Sequence, residues 1–98
     1  QIERGNLTVT PNPFTPNNDG FNDIVDFDFS GLGDYSNPIV RIFTFNGRLV
    51  QTLRNLNGSS ILWDGTDNSG NLLRPGVYLY VIEDNNQLMA RGSITLAL

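Results

Sequence analysis

The chain contains no cysteine, no histidine and no lysine. The first absence removes disulfide staples, thiolate zinc sites and cysteine nucleophiles. The second removes every mechanism that uses imidazole as its base. What is left to hold 98 residues together is packing alone, or packing helped by a hard metal ion bound through oxygen. Positive charge rests entirely on Arg4, Arg41, Arg48, Arg54, Arg74 and Arg91, scattered along the chain, and the net charge is -4. Nucleic acid needs clustered cations and is therefore excluded as a partner. No apolar run is long enough to span a bilayer, and the chain opens without a charged-then-apolar leader. An opening at Gln1 leads us to expect a segment of a longer polypeptide whose export signal lies elsewhere.

What is present points to an all-β domain. A hydrophobic content of 39% over this length supports one core and not two. No helix-period pattern of useful length appears, and turn residues recur every dozen or so positions. The chain is organised around Ser60 to Asp84: a short apolar strand ending in Trp63, the turn-rich Asp64 to Asn71, then Pro75-Gly76 and the long strand Val77 to Ile82. Trp63, the only Trp, belongs beneath that strand. Earlier strands are predicted at Leu7 to Thr10, at Ile24 to Phe29 with Val25, Phe27 and Phe29 on one face, and at Ile39 to Phe45 with Val40 and Ile42 inward. Asn46-Gly47 predicts a type I′ hairpin into Arg48 to Arg54. A last strand, Met89 to Leu98, puts Gly92, Ile94, Leu96 and Leu98 on one face. About seven short strands in this length is the rhythm of an immunoglobulin-like, fibronectin III-like β-sandwich, a single domain over residues 1–98.

One loop has the chemistry of a calcium site. With Thr15 as position 1, oxygen donors fall at Asn17, Asp19, the Phe21 carbonyl, Asp23 and Asp26, with Gly20 at the sharp bend. This is the alternating spacing that wraps a large hard cation, and it resembles the calcium loops of dockerins and thrombospondin type-3 repeats. Position 1 is Thr instead of Asp, and a strand follows instead of a helix. The same residues also read as a plain polar turn, and both readings stand on the sequence. A bound ion would stiffen the loop, because no nucleophile or base lies nearby for it to activate. Asp64, Asp67 and Asn68 form a second acidic loop whose spacing is that of a turn.

Taken together, Val40-x-Ile42, Asn46-Gly47-x-Leu49-Val50, Trp63-Asp64-Gly65-x-Asp67-x-x-Gly70 and Pro75-Gly76-x-Tyr78-x-Tyr80 resemble the Ig-like domain named after the flagellar hook-cap protein. The front segment, Pro11-Asn12-Pro13-Phe14-Thr15-Pro16-Asn17-Asn18-Asp19-Gly20-Phe21-Asn22-Asp23, resembles the opening of the C-terminal domains linked to gliding motility and type IX secretion. The resemblance implies a non-catalytic module at the C-terminal end of an exported bacterial protein, extracellular or at the cell surface. Its role would be sorting, surface attachment or assembly, with secretion or surface machinery, or neighbouring domains, as partners. Gly92 to Leu98 would be the strand such machinery handles, although the chain ends on Ala97-Leu98 without a basic residue.

Two other function classes can be weighed from the residues. Paired carboxylates such as Asp26 and Asp28 can run glycoside hydrolysis, but alternation along one strand is explained by a solvated face, so an enzyme is not expected. A carbohydrate-binding accessory module of a secreted glycoside hydrolase is the alternative, with Trp63, Tyr78 and Tyr80, and also Tyr35, as rings for a polysaccharide. Against this, Tyr78 and Tyr80 share a strand face with Ile82, as core residues would.

Overall fold

Seven strands alternate in the way the sequence demands. They are β1 (Asn6–Thr10), β2 (Val25–Gly31), β3 (Pro38–Thr44), β4 (Leu49–Leu53), β5 (Ser60–Trp63), β6 (Gly76–Asp84) and β7 (Gln87–Leu96). The computed structural model describes residues 6–10, 14–15, 23–31, 36–54, 56 and 58–97, without the side chains of 6–8 and 31. The strands form two antiparallel sheets, ordered β1-β2-β5 and β4-β3-β6-β7. Short hairpins keep β3 with β4 and β6 with β7, β1 and β2 are neighbours in the small sheet, and the β2–β3, β4–β5 and β5–β6 connections carry the chain from one sheet to the other. The result is an immunoglobulin-like sandwich of the fibronectin III-like kind, with β4 beside β3 in the larger sheet.

The period-2 pattern fills the space between the sheets. Val25, Phe27 and Phe29 from β2 meet Val40, Ile42, Tyr78, Ile82, Ile94 and Leu96 from the larger sheet, with Ile61, Trp63 and Phe14 completing the core. No charged or polar side chain is fully buried among the described residues, so burial of these apolar groups goes uncompensated by desolvation costs. Trp63 is 1% exposed, and its ring lies 5.3 Å from that of Phe14 and 6.1 Å, edge-on, from that of Tyr78. Its indole Nε1 donates to the Thr66 carbonyl at 2.9 Å, so the ring is buried without stranding its one polar atom. The Tyr78 hydroxyl donates to the Arg74 carbonyl at 2.6 Å, four residues upstream. This is the tyrosine corner of such sandwiches, and it fixes where β6 begins.

The hairpins depart from expectation in an instructive way. Gly47 has φ of 95°, but Asn46 is not in the left-handed region; Gly47 N donates to the Thr44 carbonyl at 2.9 Å and Thr44 N to the Arg48 carbonyl at 2.8 Å. The β3–β4 connection is thus a turn closed by a single left-handed glycine, with the register shift that accompanies it next to Phe43, and not a type I′ turn. The two consecutive positive φ angles of a type I′ turn occur instead at Asn85 (55°) and Asn86 (65°), between β6 and β7. The Asp84 carboxylate meanwhile accepts from Ser36 N (3.0 Å) and Asn37 N (2.7 Å), pinning the entry to β3 against that hairpin.

Both open sides of the sandwich are closed by crossing segments. Phe14, beyond the end of β1, leaves the small sheet and pairs parallel with β7 of the large one. Its N–H donates to the Thr95 carbonyl at 2.9 Å, and Ala97 N donates to its own carbonyl at 2.9 Å. On the other side, Asn68 N donates to the Val50 carbonyl at 3.0 Å, and the Gln51 amide donates to the Thr66 and Asp67 carbonyls. The exposed edge of β4 is covered in this way by the loop after β5.

Candidate functional site

The antiparallel order sends the β1–β2, β3–β4 and β5–β6 connections to one end of the sandwich, and the other three to the opposite end. The first of these, the loop end, gathers nearly every motif singled out in the sequence. Its best-defined part is the turn after Trp63. The Asp64 carboxylate accepts from Thr66 N (3.3 Å) and from the Thr66 hydroxyl (2.6 Å). The Asp67 carboxylate accepts from Ser69 N (2.9 Å) and Asn71 N (3.0 Å), and Leu73 N donates to the Gly65 carbonyl at 2.9 Å. These acids cap the backbone of their own loop, which is the turn reading of this segment.

Of the predicted calcium ligands, Asn17, Asp19 and Phe21 lie outside the described residues. Thr15 follows Phe14 and is half-buried; Asp23 and Asp26 stand at the entry to β2. Asp26 is paired in register with Thr10 of β1 and Leu62 of β5, on the outer face of the small sheet. Its Oδ1 is buried and has no hydrogen-bond partner among the described residues. Among the described residues no group of three or more acidic side chains converges in a way that could hold a metal ion. A carboxylate oxygen buried without a donor is nonetheless what a hard-cation ligand looks like, so Asp26 fits such a role.

The rings proposed for sugar recognition serve the core. Trp63 and Tyr78 are buried, and Tyr80 packs edge-on to Phe27 with ring centroids 5.4 Å apart. Tyr80 also lies over Gly92, its partner in the β6–β7 register, so closely that a Cβ at Gly92 would sit 2.6 Å from the phenol oxygen. The burial of these rings pushes the Tyr78 and Tyr80 hydroxyls above the usual phenol pKa, in Tyr78 against the opposing pull of Arg74. Trp63 and Tyr78 are too buried to offer an open ring face on which a sugar stacks, while Tyr80 is half-buried. Tyr35 lies outside the described residues.

The outer face of the large sheet is different in character. Arg41 and Glu83 form an ion pair across β3 and β6. Beside it is a shallow, open depression of about 540 Å³, lined by Leu79, Val81, Arg91 and Ser93 over the Tyr80 and Gly92 backbone. On the small sheet, backbone and hydroxyl hydrogen bonds from Ser30 hold the Asp28 carboxyl below its ordinary pKa. The two carboxylates thus differ in their surroundings: Asp28 accepts from Ser30 N at 2.9 Å, while Asp26 Oδ1 has no partner among the described residues.

Sequence reasoning missed the apolar content of the loop end. Phe45, at the tip of the β3–β4 hairpin, is 74% exposed, and Leu49, Leu72 and Val77 are exposed beside the same loops. The signal was available: an aromatic residue occupies a turn position that ordinarily takes a polar one.

The architecture defines an immunoglobulin-like β-sandwich with a specialised loop end. Comparison with protein families then supplies its membership: the CHU_C type IX secretion signal domain matches residues 8–96. The chain belongs to that family, which bears out the resemblance seen in its front segment. Among solved structures the chain is similar to PorZ of Porphyromonas gingivalis, described as an essential bacterial surface component of the type IX secretion system. The TM-score is 0.68 at 22% identity over 94% of this chain. The chain spans 11% of PorZ, and at this identity the likeness speaks for the shared fold. No curated protein matches the chain.

Proposed function

We propose that this domain is a non-catalytic export address: a folded sandwich that marks the protein carrying it and is recognised by secretion or cell-surface machinery. The observation that carries the reading is the family match over residues 8–96, which takes in six of the strands whole and most of β1. The side chains agree with it. The acids of the Trp63 loop are used in capping turns, and Trp63, Tyr78 and Tyr80 in packing, which supports a surface to be recognised over a reaction vessel. Its carrier would be delivered to the cell surface or released beyond it. The test is a reporter protein fused ahead of residues 1–98 and expressed in a bacterium with a working type IX pathway. The reporter should leave the cell in that strain and accumulate in the periplasm when the pathway is inactivated. Export that is indifferent to the pathway would refute the proposal.

A second reading concerns stability. The unpartnered Oδ1 of Asp26, at the end of the Thr15–Asp26 oxygen series, favours a structural calcium ion in the first loop. Thr15, Asp23 and Asp26, with Asn17, Asp19 and the Phe21 carbonyl, would hold it, and the ion would supply rigidity only. A ligand that binds the folded state alone, at a hundred times its Kd, stabilises by about 2.7 kcal/mol. Calcium should therefore raise the melting temperature, EDTA should reverse the rise, and Asp26→Asn should blunt it. Identical melting with and without calcium would leave the plain polar turn.

A further inference from the structure

The C-terminal end of β7 is held by a single residue. β6 accompanies β7 only as far as the pair Gly76 and Leu96. Ala97, one step further, is hydrogen-bonded among the described residues only to the Phe14 carbonyl, while the Phe14 N–H is bonded to the Thr95 carbonyl, each at 2.9 Å. Phe14 belongs to no strand, and its parallel pairing with Leu96 is an isolated bridge. Along an extended segment the next donor on that side would be residue 16, which is proline and has no N–H. The bridge therefore cannot spread into a ladder in that direction.

Withdrawing Phe14 would leave both sheets whole. β1 is paired with β2 only up to Thr10, and β7 keeps its whole register with β6. Trp63, against which the Phe14 ring lies, has anchors of its own in the Thr66 carbonyl and the Tyr78 ring. The step breaks two backbone hydrogen bonds and uncovers one side of Trp63. Its main cost is the lost burial of one aromatic ring. That keeps Phe14 in place at rest, yet it is small beside the cost of unfolding the sandwich.

We infer that Phe14 is a strap that opens while the sandwich stays folded, and that its opening gives the Thr95 carbonyl and the Ala97 N–H to an extended strand of a protein partner. The inference rests on the export reading and says how the address is gripped. In the closed state Phe14 occupies both atoms, so the state that is gripped is the open one. The chemistry of the occupant follows from what it replaces. It runs parallel to β7, offers an N–H and a carbonyl from one residue, and carries a large apolar side chain for the space beside Trp63.

Native-state hydrogen exchange on the unaltered chain tests the strap, and the reporter fusion tests its use. The amides of Phe14 and Ala97 should exchange together, at least about tenfold faster than those bonded between β3 and β6, and with little dependence on dilute urea. Exchange of the two only as the whole sandwich unfolds overturns the strap. Thr15→Cys with Ala97→Cys puts two thiols at the next pair along the parallel bridge, in a chain with no other cysteine. The oxidising periplasm should close them into a disulfide that locks the strap. Thr15→Ser with Ala97→Ser is the control that cannot lock, and circular dichroism melting confirms that each fusion has folded. Locking removes the state that is gripped, so the locked fusion should be exported at least about tenfold less than the serine pair, which exports normally. Normal export of the locked form, or equal loss in both pairs, overturns the gate and leaves the export reading intact if the unaltered fusion still depends on the pathway. Failure of the two thiols to pair shows that these segments stand apart and overturns the strap. Exchange needs no export, so its result stands even if the unaltered fusion leaves the cell without the pathway and the export reading fails.

Discussion

Replacing Gly92 by alanine isolates one contact on which the β6–β7 pair depends. In a strand interior the change by itself should help, since glycine is worse than alanine by roughly 0.5–1 kcal/mol on conformational entropy. Here the added Cβ would meet the Tyr80 ring at 2.6 Å from Oη, 2.8 Å from Cζ and 2.9 Å from Cε2. All three are distances that carbon atoms do not tolerate. The ring cannot simply swing aside, because the buried Phe27 stands edge-on against it. Overpacking of this kind costs about 1–3 kcal/mol, which outweighs the entropic gain. For a domain of this size each kcal/mol moves the melting temperature by about 4–8 °C. Gly92→Ala should therefore destabilise in urea or thermal unfolding, and in a Tyr80→Leu background the same change should become neutral or stabilising. Additive effects in this double-mutant cycle, or a Gly92→Ala variant more stable than the parent, would refute the packing argument.

Removing one oxygen tests the tyrosine corner: Tyr78→Phe keeps the ring but loses the hydrogen bond to the Arg74 carbonyl, and should cost about 0.5–1.5 kcal/mol in denaturant unfolding. Stability should also depend on pH at both extremes. The raised pKa of Tyr78 and Tyr80 gives a contribution fully present below about pH 10, the ordinary phenol value, and lost as pH climbs through the folded values. An ultraviolet titration should show these phenols ionising late. The lowered pKa of Asp28 gives a contribution present above its ordinary value of 3.8 and lost as pH falls through the folded one; Asp28→Asn should flatten that limb of an acid-unfolding curve.

Much of this was legible in the residues, for physical reasons that can be named. Alternation along β2 and β3 identified the inward set because a strand has only two faces, and Val25, Phe27, Val40 and Ile42 are all buried; along β6 and β7 it grouped Tyr78 with Ile82 and Ile94 with Leu96, and only the fold shows that these are the buried faces. Turn geometry was harder. Asn46-Gly47 looked like a type I′ pair, but the register of β3 with β4 needed only one left-handed residue, while the pair Asn85-Asn86, without any glycine, took the type I′ angles. Tyr80 and Trp63 were open to two uses, packing or stacking on a sugar. Their packing is visible only in three dimensions, where Tyr80 lies over its cross-strand partner Gly92 and Trp63 against the ring of Phe14. The clustering of exposed apolar groups at one end was hidden because Phe45, in the β3–β4 turn, and Leu72 and Val77, around the start of β6, meet only through the topology.

The pairing of Phe14 with the end of β7 has a temporal side. These two segments are about eighty residues apart in the chain, and the side of the sandwich they seal stays open until both exist. Contacts between such distant parts are among the slowest to form, since the long intervening loop must be closed first. A ribosome must therefore finish through Ala97 before this domain can shut.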